Sequence, residues 1–241
     1  MRYHGGKSLA GSGIAKKIKE IINKNPNITG YCEPFCGAWG ILSHVSAENG
    51  LTLLAGDINE SIILMWKELQ SGWVPDLSSI TKEHFYNLQG NGESSAEKGF
   101  IGHVVSFGGI YFKFFSESLL KYLPGSKKDV ISRSEKMSNV TFSHGNYRQF
   151  DYLKGFVIFC DPPYENNSRY YDENNKRLKF DSKLFWEWCK KMSKHNIIVV
   201  NENSQKRTDC EIIQLKKRII KYNKTKIDSN ECLFVFQNLS N

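Results

Sequence analysis

An apolar run, "FVIFC" at residues 156 to 160, stops on Asp161, Pro162, Pro163 and Tyr164. These are residue types that chemistry on an amino group needs. The exocyclic amino group of a base is a poor nucleophile because its lone pair is delocalised into the ring. A carboxylate and an adjacent backbone carbonyl, each accepting one amino N–H, draw the nitrogen toward tetrahedral geometry and localise that lone pair. Asp161 and the carbonyl of Pro162 form such a pair. The prolines fix φ near about −65° and remove two N–H donors, so the loop is stiff and presents its carbonyls without self-bonding. Tyr164 supplies a ring face on which a flipped-out base can stack. Standing alone, the tetrapeptide reads equally as a turn that ends a strand.

Two further stretches carry candidate chemistry. "EPFCGAWG" (33 to 40) reads as a strand running into glycines that let a backbone approach a ligand closely, a weak pattern by itself. "GDIN" (56 to 59) puts Asp57 at the end of a second apolar run, where an acid can accept both ribose hydroxyls of a nucleoside. The same acid can instead serve as a helix N-cap.

These residues need strands whose ends lie side by side, and the apolar pattern predicts them. Ser12 can cap a helix with Ile14, Ile18, Ile21 and Ile22 on one face. "TGYCEPF" (29 to 35) and "LTLLAGD" (51 to 57) read as buried strands, separated by a helix near 41 to 47 and followed by the helical "ESIILMWKELQ". From about 139 the alternation resumes with strands "NVTFSHGNY" and "FVIFCD", helix "SKLFWEWCKKMSK" and strand "NIIVVNE". Strands buried on both faces and joined by helices predict a parallel α/β sheet. The final runs, "EIIQLKKRI" and "ECLFVFQN", lack room for a crossover helix and predict an antiparallel hairpin at the sheet edge. Ligands of such sheets bind at the carboxyl edge of the strands, where Gly37, Asp57 and Asp161 fall.

Between 73 and 138 this rhythm stops. Short helical pieces and glycines mix aromatics (Phe107, Tyr111, Phe112, Phe114, Phe115) with cations (Lys113, Lys121, Lys127, Lys128, Arg133). The segment reads either as an ordinary helical cap with a basic rim or as a nucleic-acid contact region.

Composition sets broader limits. With 241 residues and 40% apolar content, the chain can bury one sizeable core, alone or with an insertion. There is no leader-like N-terminus, and no apolar run approaches the roughly 20 residues of a membrane span, so a soluble, cytoplasmic protein is expected. Cys32, Cys36, Cys160, Cys189, Cys210 and Cys232 sit mostly in apolar stretches without zinc spacing, and reduced cysteines are expected. The net charge of +8 favours a polyanionic partner without naming one.

Taken in order, "YHGGK" (3 to 7), "EPFCGAWG", "DIN" (57 to 59) and "DPPY" (161 to 164) resemble the motifs of the alpha-class, Dam-type DNA adenine methyltransferases. The resemblance covers almost the whole chain. It implies a class I S-adenosylmethionine-dependent methyltransferase fold, Rossmann-like, with residues 1 to 72 and 139 to 241 as catalytic domain and 73 to 138 as a small helical target-recognition insertion. Tyr3, Lys7, Phe35, Gly37, Asp57, Asn146 and Asp161 are implied to line the donor site, with Asp161, Pro162 and Tyr164 at the reacting amino group. The implied reaction moves a methyl group from S-adenosylmethionine to the amino nitrogen of a flipped adenine in double-stranded DNA, leaving S-adenosylhomocysteine. No metal is implied and no obligatory protein partner is evident. Cytosine amino-methylation, which uses similar geometry, and a catalytically inactive nucleic-acid-binding relative stay as alternatives.

The sequence departs from the family pattern in two places. Trp39 stands where a second small residue is usual, so the turn shifts onto Gly40 or the donor pocket is reshaped. Asn146 and Tyr147 replace an acidic-aromatic pair, and the Asn146 side-chain oxygen can still accept from an adenine amino group.

Overall fold

The computed structural model describes residues 11–38, 41–45, 50–90, 92–163, 180–203, 209–215, 218–222, 225–229 and 231–237. In chain order these form α1 (Gly11–Lys24), β1 (Gly30–Glu33), α2 (Leu42–Val45), β2 (Thr52–Asp57), α3 (Glu60–Gln70), α4 (Lys82–Gly90), α5 (Ala96–Val104), α6 (Leu123–Lys136), β3 (Val140–His144), β4 (Phe156–Cys160), α7 (Ser182–Met192), β5 (Ile197–Asn203), β6 (Glu211–Gln214), β7 (Arg218–Tyr222), β8 (Thr225–Ser229) and β9 (Glu231–Phe236). Short 3-10 turns lie around Phe107–Gly109, Glu117–Tyr122 and Tyr147–Phe150.

Seven strands form one sheet in the order β3-β2-β1-β4-β5-β9-β6. The first five are mutually parallel, and β9 runs antiparallel to both β5 and β6. Every residue of β1 and β4 is buried, because each has a strand on both sides and helices on both faces. The chain reverses direction across the sheet between β1 and β4, where the crevice at the carboxyl edge opens. This is the class I methyltransferase architecture that the motifs imply.

Two differences from the sequence reading have simple causes. Ser12 lies inside the first turn of α1, which already includes Gly11, so it is not the cap. The antiparallel pairing expected at the sheet edge is present between β6 and β9, but "EIIQLKKRI" is not one strand. It breaks after Gln214, and its second half pairs with β8 as a separate β7–β8 hairpin before the chain returns to the sheet. Apolar residues recur from Ile212 to Ile220 with no glycine or proline between them, so the sequence alone does not mark the break.

The two faces of the sheet carry two cores. One packs α7 through Phe185, Trp188, Cys189 and Met192, spaced on one side of the helix, against Cys32, Ile158, Cys160, Ile198, Val200 and Phe234. The other packs α1, α2 and α3 against Tyr31, Leu53, Ala55, Val157, Phe159 and Val199. All six cysteines are free, five of them buried and Cys210 partly so. Among the described residues no helix is long and apolar enough to cross a membrane.

The segment 73 to 138 joins the second of these cores. Phe85, Phe100, Ile101, Val104, Tyr111, Phe112, Leu123 and Val130 belong to the same buried cluster as the sheet residues. Of the four aromatics of "IYFKFF", Tyr111 and Phe112 are buried, while Phe114 is 58% exposed. Helix α5 lies against α3 because Gly99 has no side chain: a Cβ there would run into the Ser61 carbonyl oxygen. Backbone cannot swing aside as a side chain can, so Gly99→Ala is expected to cost about 1–3 kcal/mol of stability by forcing the helices apart. Urea denaturation with an unchanged midpoint would contradict this.

Candidate active site

The site is built on the carboxyl ends of four neighbouring strands. After β1 the chain turns through Pro34, Phe35, Cys36 and Gly37, and the Cys36 N–H donates to the Gly56 carbonyl at 2.9 Å. Gly37 has φ +52°, a left-handed conformation that suits glycine. It is held from both sides. Its N–H donates to Asp57 Oδ2 at 2.8 Å, and its carbonyl accepts from Trp66 Nε1 of α3 at 2.9 Å. Trp66 itself is buried and stacks on Phe142.

Asp57 ends β2 and sits where that glycine turn closes. Its Oδ1 accepts the Asn59 N–H at 2.9 Å, so each carboxylate oxygen holds one backbone donor and keeps lone pairs for another. The helix-cap alternative for Asp57 is answered by its neighbour: Asn59 is the N-cap of α3 and accepts from the Ile62 N–H. Burial raises the Asp57 carboxyl above its ordinary value, against the opposing pull of the Asn59, Gly37 and Ile58 N–H groups. A half-buried, doubly anchored acceptor pair at a strand end suits the two adjacent hydroxyls of a ribose.

Asp161 follows β4 directly and is part-buried, with Pro162 buried behind it. Its Oδ1 accepts from Asn201 Nδ2 of β5 at 3.1 Å. On the near strand, Glu33 is 1% exposed; its Oε1 accepts from the Tyr31 hydroxyl at 2.7 Å. The N–H groups of Ile41 and Leu42 also donate to the Glu33 carboxyl, at the start of α2. Burial outweighs these donors, and with the nearby Asp161 charge it pushes the Glu33 pKa up to about 8. The native state therefore keeps a proton that the unfolded chain loses above about 4.5. Stability is full below that point and falls by about 1.4 kcal/mol per pH unit until pH 8. Glu33→Gln, neutral at every pH, is expected to flatten that decline in thermal melts taken across the window. A variant with the wild-type slope would contradict the assignment.

Phe35 points into an aromatic cluster, stacked on Tyr147 at 5.5 Å and edge-on to Phe185 at 5.7 Å, so its ring walls the site from the α7 side. Asn146 is exposed, and its side-chain oxygen already accepts the Arg148 N–H at 3.0 Å. That leaves one lone pair for a ligand. The structure thus gathers Phe35, Gly37, Asp57, Asp161 and Pro162 along one edge of the sheet, with Asn146 on the loop after β3. Tyr3, Lys7, Trp39 and Tyr164 lie outside the described residues. Sequence reading missed the engagement of Glu33 and of Asn201. Both are visible in retrospect as polar residues closing apolar runs, "GYCE" and "IIVVN", in the way Asp161 closes its own.

A family profile for D12 class N6 adenine-specific DNA methyltransferases matches residues 3–117 and 104–226. Among solved structures, the rRNA methyltransferase aviRa from Streptomyces viridochromogenes is similar over 93% of this chain and 84% of its own, with 11% identity and a TM-score of 0.40. Likeness of that degree bears on neither site nor substrate. No curated protein sequence matches the chain.

Proposed function

Because the chain belongs to the D12 class N6 adenine-specific DNA methyltransferases, we propose that it takes its methyl group from S-adenosylmethionine and delivers it to an adenine flipped out of duplex DNA, at a particular sequence. Methylation of DNA adenine is the activity of the family; the donor's identity, the flipping and the residue roles are the reading added here. The observation that carries it is Asp161, fixed at the end of β4 beside buried Pro162, one strand from the Gly37–Asp57 turn.

Bound S-adenosylmethionine supplies an electrophilic methyl group. Asp57 accepts the ribose hydroxyls, and the rigid Gly37 turn lets the backbone come close beside them. Tyr3 and Lys7 complete the donor side, Phe35 closes the wall, and Asn146 accepts from the adenine amino group of the donor. At the target, Asp161 and the Pro162 carbonyl each accept one hydrogen of the adenine amino group and so expose its lone pair. Tyr164 stacks on the extruded base, which offsets part of the few kcal/mol that unstacking costs.

Residues 73 to 138, the proposed target-recognition region, present both a grip and a reader. Phe107 and Phe114 are 66% and 58% exposed, and a backbone hydrogen bond from the Phe107 N–H to the Phe114 carbonyl sets them at the neck of one loop. Lys113 lies over the Phe114 ring at 5.4 Å, and Lys121 over the Tyr122 ring at 5.2 Å. With Lys127 and Lys128 on α6, these cations are assigned to phosphates, while the exposed rings meet bases. Incubating duplex DNA with the protein and donor carrying a labelled methyl group, then separating the nucleosides by mass, tests the reading. Label on N6-methyl-2′-deoxyadenosine supports it, and label on the amino group of deoxycytidine would move the activity to the alternative base.

A further inference from the structure

We infer that Asn201 is a positioning residue for the reaction: its side-chain amide fixes the Asp161 carboxylate so that the second oxygen faces the target amino group. This rests on the role proposed above for Asp161. The placement follows from strand register. Cys160 of β4 pairs with Val200 of β5, so the next residue on each strand, Asp161 and Asn201, stands at the same level of the sheet. Side-chain alternation puts them on one face, since Phe159 and Val199, two residues earlier, both lie in the core shared with α1 and α3. Tyr31 belongs to that core too, which brings Glu33 of β1 to the same face from the other side. Three strand ends, β1, β4 and β5, therefore close with Glu33, Asp161 and Asn201 side by side.

Asn201 is fully buried, where a polar side chain is costly unless it is used. One use is the 3.1 Å bond from Nδ2 to Asp161 Oδ1. The terminal torsion of an aspartate is broad, so a carboxylate held only at Cβ samples many orientations. An amide on one oxygen selects one orientation. The prolines at 162 and 163 fix the main-chain half of the acceptor pair, and Asn201 fixes the side-chain half. The amide also favours the ionised carboxylate, which is the form that accepts the amino hydrogen.

The test uses Asn201→Asp, equal in shape but without the donor, and Asn201→Ser, whose hydroxyl is too short to reach. Single-turnover methyl transfer to DNA is measured across pH, alongside affinities for donor and for DNA. The expected result is a rate lower by about 10- to 100-fold, the scale of a misplaced reacting group, with both affinities unchanged. In Asn201→Asp two carboxylates share the site, so the acidic limb of the rate profile moves up by about one pH unit or more. Glu33, the titratable group that faces Asp161 from β1, and Cys160, its chain neighbour on the opposite face of β4, remain in both variants, so the displacement belongs to position 201. Should Asn201→Asp melt too low to assay, Asn201→Ser carries the same comparison, with its acidic limb also displaced upward. A wild-type rate in either folded variant, or a lower rate with an unmoved limb, overturns the inference. Asp161→Ala serves as the separate arm: activity there refutes the role of Asp161, whatever position 201 does.

Discussion

Asp161→Ala is expected to lower methyl transfer by about a thousandfold while the protein still binds DNA. The carboxylate is one of the two acceptors assigned to the target amino group, and the other, a main-chain carbonyl, cannot localise the lone pair alone. The truncated side chain also leaves Asn201 Nδ2 without the oxygen it now serves at 3.1 Å. DNA affinity is carried mainly by phosphate contacts, which lie on other residues, so it should hardly change. Rapid-quench methyl incorporation and a DNA titration on the same preparation check both halves. Incorporation near the wild-type rate would remove Asp161 from the mechanism.

Asp57→Ala should weaken the methyl donor by roughly 1.5–3 kcal/mol, about 10- to 150-fold, the scale of hydrogen bonds to a charged group. The substitution removes the acceptors proposed for the ribose and also the anchor of the Gly37 N–H and the Asn59 N–H. The second loss need not unfold the turn, because Trp66 still holds the Gly37 carbonyl and Cys36 still bonds to Gly56. Calorimetric titration with S-adenosylmethionine, on protein whose melting is first shown to be cooperative, separates the two effects. Unchanged affinity in such a protein would place the ribose elsewhere.

Residues picked out by type at the ends of apolar runs were legible in the sequence as candidates, each with a turn or cap reading beside it. Asp161 and Asp57 both stand where strand ends were expected. Residues selected by register were not legible. Asn201 acquires its meaning only when β5 is set beside β4 with Val200 opposite Cys160, and nothing local states that pairing. Glu33 was quoted inside a glycine pattern, yet its proton depends on burial by Tyr31 and α2, a tertiary matter. The helix-cap ambiguity at Asp57 is resolved by Asn59, two residues on, an equally good capping residue type. In the segment 73 to 138, the aromatics fitted a cap and a contact region alike, and which of them are buried was not legible. Their burial required α5 to reach α3 at Gly99, a contact invisible in one dimension.

Because Phe85, Phe100, Tyr111 and Phe112 share one apolar cluster with the sheet, the part of the chain assigned to choosing a DNA site is not a detachable cassette. A chimera that exchanged residues 73 to 138 with those of a relative would have to import the matching surface of α3 as well, or lose the seat on which Trp66 holds the Gly37 turn. Preference for a new DNA sequence is then most accessible through single changes on the exposed rim, at positions such as Phe107 and Phe114, whose side chains face solvent. Deeper substitutions would be felt at the donor site as altered catalysis before they were felt as altered choice of sequence, so selection acting on one property constrains the other.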